Sequence, residues 1–256
     1  MQTIRNLLII GSVLCFFNIL CDDKKNPVKN TGNNEDTLSN ITVTDADGNV
    51  YKTVKIGDQI WTAQDLRTTK FNDNSSIPHI TDSAEWHNIT SPAYSFYKNS
   101  TDPYQNQKYG ALYNWYAVNS KKLAPAGWHV PTLSDWETLR DYMISHGYNY
   151  DSSVTGNKIA KSLASRTDWK SSSTAGTVGN DRENNNKSGF TALPNGSRYS
   201  NTGSDFSNMG AHTHYWSSNS NYNLAYSIYI SFDSSSVSTH SHFKNEGFAI
   251  RLVKDK

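Results

Sequence analysis

Two His-x-His pairs, His212-Thr213-His214 and His240-Ser241-His242, hold the densest metal-ligand chemistry in this 256-residue sequence. Residues two apart on a strand point to one face, so neighbouring strands would gather four imidazoles. Zinc accepts such nitrogens at ~2.0–2.1 Å. The same pattern ordinarily gives solvent-facing or loop-packed histidines in a Ser-rich surface. We therefore expect no resident metal or cofactor, and keep a zinc site at His212, His214, His240 and His242 as the alternative.

Other chemistries are excluded by what is missing. The 2 Cys lie at positions 15 and 21, so no catalytic thiol, zinc-thiolate site or disulfide framework is available to the rest of the chain. No Gly-x-Ser-x-Gly elbow is present to present a serine nucleophile, and a hydrolytic triad is not expected. Asp45-Ala46-Asp47-Gly48 suggests a calcium loop, but an EF-hand needs Gly at its sixth position and Glu at its twelfth. Here Gly48 is fourth and Ile56 twelfth, which reads as a hairpin turn. A net charge of +1 gives no broad attraction for nucleic acid or an anionic membrane surface. The expectation is a protein that is not an enzyme.

Sugars pack their C–H faces on aromatic rings while Asn, Asp and Ser supply directed hydrogen bonds. With 7 Trp in the chain, several rings could serve. Trp115, Trp128, Trp136 and Trp216 lie among strand and helix residues and read as core. Trp169, between Asp168 and Lys170 and followed by Ser171-Ser172-Ser173, is the surface candidate, with Asp168 as its polar neighbour.

The elements that must position these groups begin after a leader. Residues 1–21 place Arg5 before an apolar run from Leu7 to Leu20, too short for the ~20 residues of a permanent span. Asp22-Asp23-Lys24-Lys25 follow Cys21 at once. A Cys at the end of an apolar run resembles a bacterial lipoprotein signal, which implies acylation of Cys21 and a membrane anchor. Leu20 departs from the small residue usual before that Cys, so an ordinary signal peptide is the alternative. Residues 22–40 have only Val28 and Leu38 as large apolar side chains and read as a disordered tether.

Residues 41–256 read as one domain. Val50, Lys52, Val54 and Ile56 alternate onto one face, and Gly57-Asp58 turns the chain into Gln59-Ile60-Trp61, a hairpin. Thr132 is placed to cap a helix carrying Leu133, Trp136, Leu139 and Met143 on one side, closed by Gly147. A second helix is expected over Asn157–Ser165. Short strands are expected at 189–194, 214–218, 225–230 and 247–253. Asn and Ser make up roughly a quarter of the chain, which favours turns. A hairpin, two helices and late antiparallel strands with long irregular loops make an α+β domain.

Six segments carry a resemblance: Gly48–Trp61, Tyr113–Val118, Gly127–Trp136, Gly189–Arg198, Tyr215–Ser218 and Gly247–Asp255. In order and spacing they resemble the Fibrobacter succinogenes major paralogous domain family. That family is similar to C-type-lectin-like domains and to the formylglycine-generating-enzyme group, so the resemblance implies an exported, C-type-lectin-like domain. Formylglycine chemistry needs cysteines that this domain lacks. The Glu-Pro-Asn, Gln-Pro-Asp and Trp-Asn-Asp motifs of calcium-dependent lectins are absent too. Related sequences often carry Cys where this chain has Ala124 and Leu252, which implies that these two side chains lie close together.

The resulting expectation is an exported bacterial protein, anchored in the outer membrane or at the cell surface through Cys21, with a non-enzymatic binding or adhesive role. Periplasmic or secreted placement is the alternative. The expected partners are the membrane, through the lipid, and a carbohydrate or surface protein. A metal-binding or enzymatic domain and a purely structural envelope protein are the competing readings.

Overall fold

The computed structural model describes residues 41–199 and 205–256, all within the unit Glu35–Lys256. The leader, Cys21 and the 22–40 tether lie outside the described residues. Five strands form the first sheet: β1 (Thr42–Thr44), β2 (Val50–Ile56), β3 (Gln59–Thr62), β6 (Trp128–His129) and β12 (Val253–Lys254), in the order β1-β2-β3-β12-β6. A second sheet has β9 (His212–Asn221), β10 (Leu224–Ser231) and β11 (Ser238–Phe243), with β10 central. Two ribbons complete the set: β4 (Tyr94–Ser95) with β5 (Leu112–Tyr113), and β7 (Ser197–Arg198) with β8 (Phe206–Ser207). Every named strand pair is antiparallel.

The opening hairpin folds as its sequence indicates, with Ile56 opposite Gln59 across Gly57-Asp58. Gly57 sits at φ +60 against the Tyr142 ring, where a Cβ would come within 2.7 Å. That position needs glycine both for its left-handed backbone and for the close ring. The single apolar face expected for β2 is corrected. Val50 and Lys52 are exposed, while Tyr51, Thr53, Val54 and Ile56 are buried. The strand lies between two apolar clusters: Tyr51 joins one, and Val54 and Ile56 join the other.

The cluster holding Val54 and Ile56 is built on helix α4 (Leu133–Ser145). Thr132 caps it, its hydroxyl accepting from Asp135 N while the Asp135 carboxylate accepts from Thr132 N. Such a reciprocal box contributes about 1 kcal/mol. Trp136, Leu139 and Met143 are buried and Leu133 packs against the same cluster. Trp136 lies 4.6 Å from Trp61 and 5.8 Å from Tyr215 between ring centroids. The other cluster gathers Trp115, Trp216, Phe248 and Leu252, with Trp128 only partly buried at its margin.

Several elements differ from the sequence expectation. The second helix shrinks to α5 (Ala160–Leu163), with Ile159 and Leu163 both buried. Three short helices were not foreseen: α1 (Ser83–Asn88), α2 (Pro103–Tyr109) and α3 (Trp115–Asn119). Segments 189–194 and 247–252 form isolated bridges rather than strands, Ala192 to Ala164, Gly247 to Arg198, Phe248 to Tyr113 and Ala249 to Tyr215. For 189–194 the reason is visible at Arg251, which is 1% exposed. Its guanidinium donates to the carbonyls of Thr62, Phe190 and Thr191 and to the Asp65 carboxylate. Carbonyls held by a buried side chain are withdrawn from ladder pairing.

Arg198 works likewise. Its side chain is fully buried, stacks over Trp86 at 4.2 Å and donates to the carbonyls of Ile80, Thr81 and Asp82. These two arginines tie irregular loops to the sheets, and the result is a mixed α+β domain. Among the described residues no helix is long and apolar enough to cross a membrane.

Candidate functional site

Antiparallel pairing places residues directly opposite one another on the same face. His214 on β9 faces Tyr229 on β10, and Ser227 on β10 faces both Trp216 on β9 and His240 on β11. Ala225 faces His242. His212, His214, His240 and His242 therefore occupy one face of this sheet. The outer strands stand roughly 9.5 Å apart, two inter-strand spacings. Their rings meet only where the central strand carries a small side chain, and Ser227 and Ala225 supply it.

Three imidazoles converge over those small residues. Ring centroids are 4.8 Å apart for His214 and His242, and 6.1 Å apart both for His214 and His240 and for His240 and His242. One ring nitrogen from each lies within 4.8 Å of the others. The fourth histidine does not join. His212 faces Ser231 and meets the Tyr229 ring edge-on at 5.1 Å. Tyr229, stacked on His240 at 4.7 Å, fills the space that His212 would have to cross.

The surroundings tune the three rings differently. His214 is 2% exposed, and burial, followed by possible charges on His242, His240 and His212, holds its pKa well below the ordinary 6.5. Burial also lowers that of His240, whose edge is open to solvent. His242 Nδ1 is 2.8 Å from Glu246 Oε2, a contact of opposite groups without hydrogen-bond alignment. Glu246 was absent from the sequence reading. Its signal was available in the four-residue spacing from His242.

The carbohydrate candidates fare otherwise. Trp169 is corrected from surface ring to core: it is 1% exposed, and its Nε1 donates to Ser165 Oγ and the Ala192 carbonyl. Its polar neighbours misled, because Asp168 at φ 73 turns the chain so that the indole points inward. The Asp168 carboxylate is 2.9 Å from Lys108 Nζ. A ring buried in this way cannot stack on a sugar.

Exposed aromatics lie elsewhere. The β9–β10 hairpin closes through Tyr222-Asn223, with Asn221 opposite Leu224. Tyr222 takes φ 44 and is 92% exposed. A bulky residue in that region is a backbone outlier, usually given to glycine in a hairpin turn. Nearby Phe243 is also exposed. They border a groove of about 510 Å³ shared with Asn88, Thr90, Asn223 and Asn245. Lys244 braces it, its Nζ donating to the Tyr222 carbonyl at 2.7 Å and lying 4.6 Å from the Trp115 ring centre. Neither Tyr222 nor Phe243 stood out in the sequence, although Asn-Tyr-Asn between two strands is a turn signal.

The sequence pattern of the Fibrobacter succinogenes major domain matches residues 54–254. No curated protein and no solved structure matches the chain.

Proposed function

The chain belongs to the Fibrobacter succinogenes major domain family, and from that premise we propose that it is an exported binding domain that recognises a carbohydrate in the groove beside Tyr222. The carrying observation is that ring: fully presented, held at φ 44, and set against Asn side chains. Strain in a turn is retained where the surrounding structure and a use for it coincide. Aromatic faces with flanking amides suit the alternating C–H and hydroxyl surface of a sugar. The role is binding rather than catalysis, in keeping with a domain that contains no cysteine and no serine elbow.

The apolar run that ends at Cys21, followed by acidic residues, supports export and acylation there. The anchor would hold the domain at the outer membrane on the 22–40 tether. The fold reads as C-type-lectin-like on the Pro131-Thr132 entry into the Trp136 helix and on the loop-rich build. A glycan array probed with the intact chain and with Tyr222→Ala tests the reading. A glycan bound by the first and lost by the second is expected. No bound glycan would favour a structural envelope role, and equal binding by both would place the sugar away from the Tyr222 groove.

A further inference from the structure

The geometry points to a zinc site formed by His214, His240 and His242, with Glu246 behind it. Each imidazole has one nitrogen close to an oxygen, hydrogen-bonded in His214 and His240 and in a charge-type contact in His242. His214 Nδ1 is 3.1 Å from Ser227 Oγ, His240 Nε2 is 3.1 Å from Ser238 Oγ, and His242 Nδ1 is 2.8 Å from Glu246 Oε2. That leaves His214 Nε2, His240 Nδ1 and His242 Nε2 as the ligands. Metal-binding histidines characteristically use the second nitrogen in this way, toward a carboxylate or another oxygen, which fixes the ring and raises its basicity.

Two further observations point to a ligand. His242 Nε2 is buried with no hydrogen-bond partner, and a buried polar atom left unpaired is costly unless something occupies it. Glu246 is 4% exposed, and its Oε2 lies 2.8 Å from His242 Nδ1 with no hydrogen bond made to it. A dication on His242 would balance that carboxylate. A tetrahedral zinc would draw its ligands to about 3.3 Å apart, given Zn–N distances of ~2.0–2.1 Å. From a spread of 4.8 Å, rotation of the exposed His240 ring closes the difference. Nitrogen ligands select zinc or cobalt over calcium and magnesium, which take oxygen. The exposed edge of His240 is the path of entry, and the fourth coordination position faces solvent.

The site is independent of the Tyr222 groove, and its test reads metal directly. The intact chain, untagged and dialysed against chelator, is titrated with zinc chloride by calorimetry and with cobalt chloride by visible absorption. One zinc per chain at micromolar concentration, and a tetrahedral cobalt spectrum without thiolate charge transfer, are expected. His240→Gln, on an exposed ring that folding tolerates, should weaken zinc at least tenfold, and Glu246→Gln by about 10–100-fold. His212→Gln should bind as the parent does. No heat at micromolar zinc, undiminished binding by His240→Gln, or equal loss in His212→Gln would each overturn the site.

Discussion

The His214 imidazole lies flat on the Phe248 ring, centroids 4.4 Å apart and planes 15° from parallel. Trp216 supports Phe248 from the side at 4.5 Å, while Tyr229 and the edge of His242 close over His214 at 4.7 and 4.8 Å. A proton on His214 would be buried among rings, with His212, His240 and His242 as its titratable neighbours. The folded pKa is therefore far below 6.5, chiefly through burial. Below pH 6.5 the unfolded chain takes up a proton that the folded chain refuses, so stability falls with acidification from there toward the folded value. His212 and His240, also lowered by burial, act in the same direction. In chelator, the unfolding free energy from urea titration should drop between pH 7 and pH 5, by up to about 1.4 kcal/mol per pH unit for each excluded proton, and the midpoint with it. His214→Gln should flatten that slope, and a parent midpoint that stays level across the range would contradict the account.

Tyr222 offers a separation of binding from stability. Its φ of 44 costs a side chain about 1 kcal/mol that glycine escapes. Tyr222→Gly should raise the urea midpoint, or at worst leave it unchanged, while removing glycan binding. Native contacts cannot explain that combination, since a residue 92% exposed has little packing to lose. A destabilised Tyr222→Gly, or one that still binds glycan, would argue that the ring is there for the fold.

The sequence was most legible where local chemistry and tertiary packing agree. Thr132 and Asp135 form their capping box because every atom it needs lies within four residues. The Gly57-Asp58 turn is local in the same way. Strand alternation placed all four histidines on one face, but which of them meet depends on Ser227 and Tyr229 on the intervening strand. Trp169 was misread because polar neighbours along the chain say nothing about a left-handed Asp168 that turns the ring inward. The expected strands at 189–194 and 247–253 carried strand-like residues, yet Arg251, distant in sequence from Phe190, takes the carbonyls the first of them would have paired.

The Asp65–Arg251 ion pair should reward replacement and punish separation. Both side chains are essentially buried, at 0% and 1% exposure. Asn195 donates a further hydrogen bond to Asp65 at 2.8 Å. Asp65→Leu alone strands the guanidinium beside Phe190 and Tyr215, and a loss of about 3–5 kcal/mol is expected. Arg251→Met in the same chain removes the orphaned charge and should recover part of it, the carbonyls of Phe190 and Thr191 losing their donor in exchange. Chemical denaturation of the two singles and the double gives the coupling. Additive losses would mean that the pair is not coupled.

Ala124 and Leu252, which the family resemblance implies lie close together, are both buried in the same apolar cluster. Leu252 is fixed by its neighbour strand: its N donates to Thr62 Oγ1 at 3.0 Å and its carbonyl accepts from Thr62 N at 2.9 Å. Ala124 is held through its carbonyl, which accepts from Asn72 Nδ2 at 3.0 Å. A bridge between two such anchored positions forms without backbone movement only if their Cα atoms lie within ~7 Å. Ala124→Cys with Leu252→Cys, in a chain whose Cys15 and Cys21 are changed to Ser, should oxidise to a single intramolecular disulfide, seen by mass and by loss of titratable thiol. Leu252→Cys shortens a buried side chain, so the comparison belongs between oxidised and reduced forms of this one variant. The long loop between the two positions predicts a gain of about 2–4 kcal/mol on oxidation. Thiols that stay free under mild oxidant, or that pair only between molecules, would show that the two positions do not face each other.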